Sequence, residues 1–386
     1  MPGMLKVVLL INPSRAYTRG LLNGIAQYAR LHGPWAFYRP LEYREPRFRR
    51  GLLSVLKSLK PDGILMREPP QIDAIVKLRV PTISFPYTRE TISGIANVVT
   101  DHCAVGIMAA EHLLQRGLQR FAYCGFDDWW WSRQRKEGFT ETIERAGFAV
   151  EPYQLPRAKS KRTWSKELPL VTEWLQALPK PCGLMASNDD RAELVTEACK
   201  AADLSVPDEV AIVGVDNDQT ICDLCTPPLS SVALNIRKAG YDAAALLDRM
   251  MAGEATVART IHIEPTHVVT RQSTDILAVD DPDVAAAMRY IRRFAKMNLG
   301  VDSVVAHTNV SRRVLEKRFR QTLGCSIHDK IRQVRIALAT AMLTETQMPI
   351  AQIAHELDFP DVAHLSRYFR KAKGLSPAQY RKQLAP

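Results

Sequence analysis

The chain has 386 residues, 46% of them hydrophobic and 24% charged, long enough for more than one packed domain and too apolar for a disordered protein. Its net charge of +11 is lopsided: residues 281–386 hold 18 Lys and Arg against 9 Asp and Glu, whereas residues 1–280 hold 34 against 32. No apolar run reaches membrane-spanning length, the start lacks a signal peptide's apolar core and cleavage site, and the seven scattered cysteines form no disulfide framework, so a reduced, cytoplasmic protein is expected.

From the N-terminus, short apolar runs alternate with amphipathic stretches. KVVLLIN (6–12) reads as a buried strand and TRGLLNGIAQYAR (18–30) as a helix. DGILM (62–66) and VPTISF (80–85) follow as strands, then the helix AVGIMAAEHLLQRG (104–117) and the strand RFAYCGF (120–126). CGLMAS (182–187), the helix DRAELVTEACKAA (190–202) and VAIVGVDND (210–218) repeat the alternation. Such βαβ units build parallel sheets covered on both faces, and ligands bind beyond the carboxyl ends of their strands. Polar clusters stand at those ends: INPSRAY, SNDD and DND.

The pattern stops near residue 275. AVDDPDVAAA is acidic, contains a proline and reads as a linker, and beyond it only helices are expected. They are AAAMRYIRRFA, VDSVVAHT, RRVLEKRFRQTL, HDKIRQVRIALATAMLTE, IAQIAHEL, VAHLSRYFRKA and PAQYRKQL. The change of pattern coincides with the change of charge, so the tail alone is the candidate for a polyanionic partner.

Within the tail one beat occurs twice, fifty residues apart, in SRRVLEKRFRQTLG (311–324) and DVAHLSRYFRKAKG (361–374). Leu315 and Phe319, like Leu365 and Phe369, are spaced to face a core, and each pair follows a short helix and a turn holding Asn309 or Asp358. This is the layout of two helix-turn-helix units. Two such units on one body can enter successive major grooves about 34 Å apart.

Residues 284–384 resemble the AraC/XylS-type DNA-binding domain, with IAQIAHELDF through LSRYFRKAKGLSPAQYR as its signature and Asp358 where that family usually has glycine. The resemblance implies base contacts from Arg313, Glu316 and Lys317 in the first unit and from Val362, Ala363, His364 and Arg367 in the second. Ser311, Arg312 and Arg320 fall to phosphate. Residues 5–272 resemble the LacI/GalR-type, periplasmic-binding-protein-like effector domain, through VVTDHCAVGIMAAEHLLQRGLQRFAYCG, RQRKEGF, the SNDD and VDND segments and PPLSSVALNIRKAGYDAAALL. The fold implied is a two-lobed α/β domain (1–274, effector and dimerisation), a linker (275–283) and an all-α double helix-turn-helix domain (284–386).

That combination resembles the xylose operon regulator type. It implies a sugar effector, D-xylose or another monosaccharide, an operator DNA, RNA polymerase and a second copy of the chain as partners, and activation as output. The ligand-binding positions implied are Asn12, Tyr17, Arg19, Asp101, Trp131, Arg135, Asn188, Asp189 and Asp216, since carboxylates, amides and a guanidinium pair with hydroxyls while an aromatic face covers the ring. Asp101 and Asp189 could instead cap helices. Of the three consecutive tryptophans, one or two are expected to pack between lobes or against a neighbour. No G-x-S-x-G, Walker A, H-E-x-x-H or G-x-G-x-x-G motif occurs, and Cys222 and Cys225 form a lone C-x2-C, so no enzyme, metal or cofactor is expected. A sugar-binding protein that does not read DNA is the alternative class, and the basic tail stands against it.

Overall fold

The computed structural model describes residues 4–40, 51–69, 71–156, 163–254, 260–276 and 281–384; residues 277–280 of the expected linker lie outside these. Strands β1 (Leu5–Leu10), β2 (Trp35–Tyr38), β3 (Gly63–Met66), β4 (Thr82–Ser84), β5 (Ala96–Thr100) and β11 (Thr260–Ile263) form one sheet in the order β11-β5-β4-β3-β1-β2. Strands β6 (Phe121–Cys124), β7 (Val150–Pro152), β8 (Cys182–Ala186), β9 (Val210–Val215), β10 (Ser230–Leu234) and β12 (Pro265–Val269) form the other, β12-β10-β9-β8-β6-β7. In the central strands β3, β8 and β9 every residue is buried, as a sheet covered on both faces requires. Between the strands lie α1 (Ala16–His32), α2 (Leu52–Leu59), α3 (Ile72–Val76), α4 (His102–Leu114), α5 (Trp130–Arg145), α6 (Trp164–Ala177), α7 (Asp189–Ala201), α8 (Gln219–Leu224) and α9 (Ile236–Met251).

The chain crosses between the lobes after β5, β10 and β11. The last crossing departs from the all-parallel expectation, because β12 runs antiparallel to β10. β11 ends on the cleft side and only Glu264 precedes β12, so there is no room for the crossover that a parallel neighbour needs.

Each lobe contains one pair of helices that meet backbone to backbone. A side chain on Gly24 of α1 would strike the carbonyl of Arg237, and one on Gly240 of α9 the carbonyl of Leu21. Gly106 of α4 and Gly138 of α5 repeat this against the carbonyls of Arg135 and Cys103. Only glycine permits so close an approach, and it fixes α5 against α4.

Seven helices follow: α10 (Pro282–Phe294), α11 (Val301–Val305), α12 (Arg312–Leu323), α13 (Ile327–Glu345), α14 (Ile350–Glu356), α15 (Val362–Lys373) and α16 (Pro377–Leu384). Asp281 caps α10 by accepting from Asp283 N and Val284 N, with Pro282 in the first turn. The expected helix VDSVVAHT stops at Val305, and residues 306–310 make the turn into α12. α12 and α15 both end on a glycine in the left-handed region, Gly324 at φ 66° and Gly374 at φ 75°. Asp358 is left-handed too, at φ 52°, and its carboxylate accepts from Asn298 N at 2.8 Å.

α13 gives each unit half of its core. Ile327 and Ile331 pack with Leu315 and Phe319, whereas Ile336, Ala339 and Leu343 pack with Leu365 and Phe369. Between the halves lies Arg335, 4% exposed. Its guanidinium donates to Met297 O at 2.6 Å and to Leu357 O at 2.5 Å, and its Cζ lies 4.4 Å from the Phe359 ring centroid. One cation thus fixes the two helix-turn-helix units to each other.

Arg335→Met should destabilise the helical domain by about 2–4 kcal/mol, because two buried carbonyls lose charge-assisted partners. All six tryptophans lie before residue 281, so fluorescence reports only the α/β domain. Urea unfolding of the variant should show the helical circular-dichroism transition moved to lower denaturant and the fluorescence transition unmoved; coincident, unshifted transitions would contradict the role given to Arg335.

Candidate functional site

The carboxyl ends of both sheets face one cleft. Arg135, 3% exposed on α5, is its most constrained member. It donates through Nη1 to Ser187 O at 2.5 Å, through Nε to His102 Nδ1 at 3.3 Å and through Nη2 to Asp216 Oδ1 at 3.4 Å. Burial, and then the nearby charges of Arg135 and Arg67, hold His102 well below the usual histidine range, so it is neutral. Accepting at Nδ1, it keeps its proton on Nε2. The Ser187 hydroxyl is buried and finds no hydrogen-bond partner among the described residues.

Asp216 follows β9 with φ at 99°, and Asn217 with φ at 49°. Two successive non-glycine residues in the left-handed region are strained and need fixing from outside. Asp189 supplies this: its carboxylate accepts from Asp218 N at 2.7 Å and from the Ser231 hydroxyl at 2.6 Å. Ser231 Oγ in turn accepts from Asn217 N at 3.0 Å, and Arg271 donates to Asn217 Oδ1 at 3.0 Å. Burial and the neighbouring Asp216 carboxylate push Asp189 up to about 8. Burial likewise raises Asp216, against the opposing pull of Arg135 and Arg67.

Aromatic and cationic planes span the cleft. The Arg67 guanidinium, just beyond β3, lies 4.5 Å from the Tyr17 ring centroid and 5.1 Å from that of Tyr87. Tyr87 stacks on Trp129 of the other lobe, centroids 5.6 Å apart and planes at 25°. Trp131 covers Arg135 at 5.0 Å. The tryptophan run is thus divided, with Trp129 meeting the N-terminal lobe while Trp131 and Trp130 lie beside His102.

At the mouth, α1 reaches across to the second lobe. Arg19 pairs with Asp218 at 3.1 Å, Ala16 N donates to Asp218 Oδ2 at 3.0 Å, and Arg15 pairs with Asp190. These contacts, two of them to the buried Asp218, close the lobes in the arrangement seen.

Tyr17, Arg67, Trp131, Arg135 and Asp216 therefore come together around the cleft, with the Tyr17 hydroxyl 3.4 Å from Thr100 Oγ1. Asn12 stands at its edge, its Oδ1 accepting from Ser14 N. Other expected positions are committed to the backbone. Asp101 caps α4 through Ala104 N, Asn188 caps α7 through Arg191 N, and Asp189 holds the 216–218 turn. Arg19 joins the lobes at the mouth. Arg67, Tyr87, His102, Ser187 and Asp218 also belong to the cleft, beyond the positions expected from the sequence. Arg67 and Ser187 directly follow apolar strands, a signal that was available, whereas His102 and Asp218 are placed only by contacts across the fold.

In the helical domain, residues 311–320 and 361–370 have the same sequence of exposed and buried positions, with Leu315 and Phe319 matching Leu365 and Phe369. Ser311, Arg313, Lys317 and Arg320 are exposed, and so are Val362, Ala363, His364 and Arg367. Arg312 is exposed and pairs with Asp302 at 2.9 Å. Glu316 differs from its expectation as an outward contact: it is half-buried, with one carboxylate oxygen enclosed and without a hydrogen-bond partner among the described residues. Arg318 turns back to Asp281 and Asp283 at the start of α10.

No helix among the described residues is long and apolar enough to cross a membrane, and no group of three His, Cys, Asp or Glu there could hold a metal ion.

Residues 110–274 match the periplasmic binding protein-like domain family, and residues 304–383 a helix-turn-helix domain family. The xylose operon regulatory protein of Haemophilus influenzae is 29% identical over 97% of this chain and 98% of its own length. That of Escherichia coli K12 is 28% identical over 97% and 96%. A solved structure of a xylose-binding transcription activator matches with a TM-score of 0.62 at 27% identity, covering 99% of both chains. The chain is a homologue of the xylose operon regulatory proteins, a transcription regulator in which a two-lobed periplasmic-binding-protein-like domain precedes a double helix-turn-helix domain.

Proposed function

We propose that the chain is a D-xylose-dependent activator of pentose catabolism genes. It works in the cytoplasm, as a homodimer joined through residues 1–274, with a linker expected over 275–283 that gives way at Asp281 to α10, and with the helices from α10 onward as the DNA reader that recruits RNA polymerase. The observation that carries the sugar reading is the pair of buried Arg135 and half-buried Asp216 at 3.4 Å under the Trp131 ring, beside the Ser187 hydroxyl, which has no partner among the described residues. A monosaccharide offers such a site donors, acceptors and an apolar face. Tyr17 and Arg67 complete it from the other lobe.

A route from this site to the reader follows from α4. His102, bonded to Arg135, begins the helix, and just past its end the Gln115 carbonyl accepts from Lys330 of α13 at 3.0 Å. The helix is thirteen residues, about 20 Å, of rigid rod between the two. Sugar that favours one lobe arrangement through Arg135 and Asp216 moves the far end of α4 against the reader.

Three measurements test this reading. Asp216→Asn should weaken D-xylose binding on the order of 10- to 100-fold by calorimetry, as expected for loss of a charge-assisted hydrogen bond, with fluorescence-monitored unfolding little changed; equal affinity in the variant would remove Asp216 from the site. Arg313→Ala should cost about 1–3 kcal/mol on operator DNA and far less on random duplex, whereas Arg320→Ala should weaken both alike. Operator DNA should tighten D-xylose binding by the same factor that D-xylose tightens DNA binding. Sugar affinity indifferent to an operator whose own affinity responds to sugar would sink the coupling.

A further inference from the structure

Where the sensor meets the reader, the structure forms an open cavity of about 730 Å3. Its walls come from α4, β12, α10 and α13, with the end of α15 at the rim. The lining is strongly cationic, with Arg116, Arg292, Lys330, Arg332, Lys371 and Lys373 against two carboxylates, Glu111 and Asp329.

Two of these cations are nearly out of water, Arg116 at 7% and Lys330 at 5% exposed. Neither has a carboxylate partner among the described residues. Arg116 is held by neutral groups, Thr274 O at 2.5 Å, His112 O at 2.8 Å and the His112 ring at 3.1 Å. Lys330 donates only to Gln115 O among the described residues. Arg292 meets Asp275 at 3.1 Å. Asp329 is turned to its own helix start, where Ser326 donates to it at 2.6 Å.

Cations gathered this closely in a low-dielectric space repel one another, and carbonyl dipoles offset only part of that cost. The strain registers on Lys330, which burial and then the guanidinia of Arg292 and Arg116 press down to about 8 despite the opposing pull of Cys325. A multiply charged anion entering the cavity would remove it. The volume suits a small metabolite, and guanidinium with ammonium donors is the combination that takes phosphoryl oxygens.

We propose that this cavity is a second ligand site, for a small phosphorylated metabolite, separate from the cleft. Because its walls belong to both domains, its occupant fastens α4 to α13 and acts directly on the orientation of the reader. This site does not depend on which sugar the cleft takes.

The test uses the full chain without DNA, with inorganic phosphate and D-ribose 5-phosphate titrated calorimetrically at fixed ionic strength. Both should bind saturably, one per chain. Lys330→Met keeps the side-chain length and removes the charge, and its circular-dichroism and fluorescence unfolding transitions report whether the fold is kept. It should weaken both ligands at least tenfold, and the exposed double variant Lys371→Ala/Lys373→Ala should weaken them by a smaller factor. Absence of saturable phosphate binding, or affinity unchanged in Lys330→Met, would overturn the site. Binding of D-ribose 5-phosphate alone, untouched by these changes, would assign it to the cleft. Weakening only in variants of the exposed α12 face, such as Arg320→Ala, would assign the phosphate to the DNA surface.

Discussion

A guanidinium taken out of water must find acceptors for its donors, and this chain meets that constraint at each of its joints. Arg135 binds Ser187 O and Asp216 where the lobes face the cleft. Arg116 binds Thr274 O and His112 O where the sensor meets the reader. Arg335 binds Met297 O and Leu357 O between the two helix-turn-helix units. Arg135 and Arg335 stand on helices and Arg116 in the turn just past α4, and each takes up carbonyls of neighbouring segments. Arginine suits the task because its fork of donors reaches two or three acceptors from fixed angles and stays charged.

The same device makes the joints responsive. The turn at Asp216 and Asn217 is strained and kept so by the Asp189 carboxylate, which no ligand need touch. A ligand that competes for Asp216 therefore acts on a turn with few alternatives, and on Arg135 and His102 behind it. His102 begins α4 and Gln115 stands just past its end against Lys330, so the cleft and the domain junction share one helix. The glycine contacts of α4 with α5 at Gly106 and Gly138 leave that helix no slack relative to Arg135.

Glycine and aspartate also explain why the duplicated reader tolerates its departure from pattern. Asp358 takes the left-handed conformation that glycine would take at less cost, and its carboxylate gains Asn298 N from the other unit. A hydrogen bond between units thus offsets local strain, and the second unit is joined to the first through both Asp358 and Arg335.

The sequence by itself determined the alternation of strand and helix, the break near residue 275 and the repeated helix of the reader. Each rests on a local period, two or 3.6 residues, that survives without tertiary information. It also determined that Leu315, Phe319, Leu365 and Phe369 face inward, since their spacing admits one face. Only the tertiary structure decided which polar residues at the strand ends face the cleft. Asp189 and Asp216 look alike in the text, yet one is spent on the Asp218 amide and the Ser231 hydroxyl and the other meets Arg135. Arg67, His102 and Asp218 acquire their roles from residues far along the chain, and β12 runs against its neighbour because of where the third crossing leaves it. Periodicity records which face of an element is buried; which distant group fills the space opposite is set by how the elements pack.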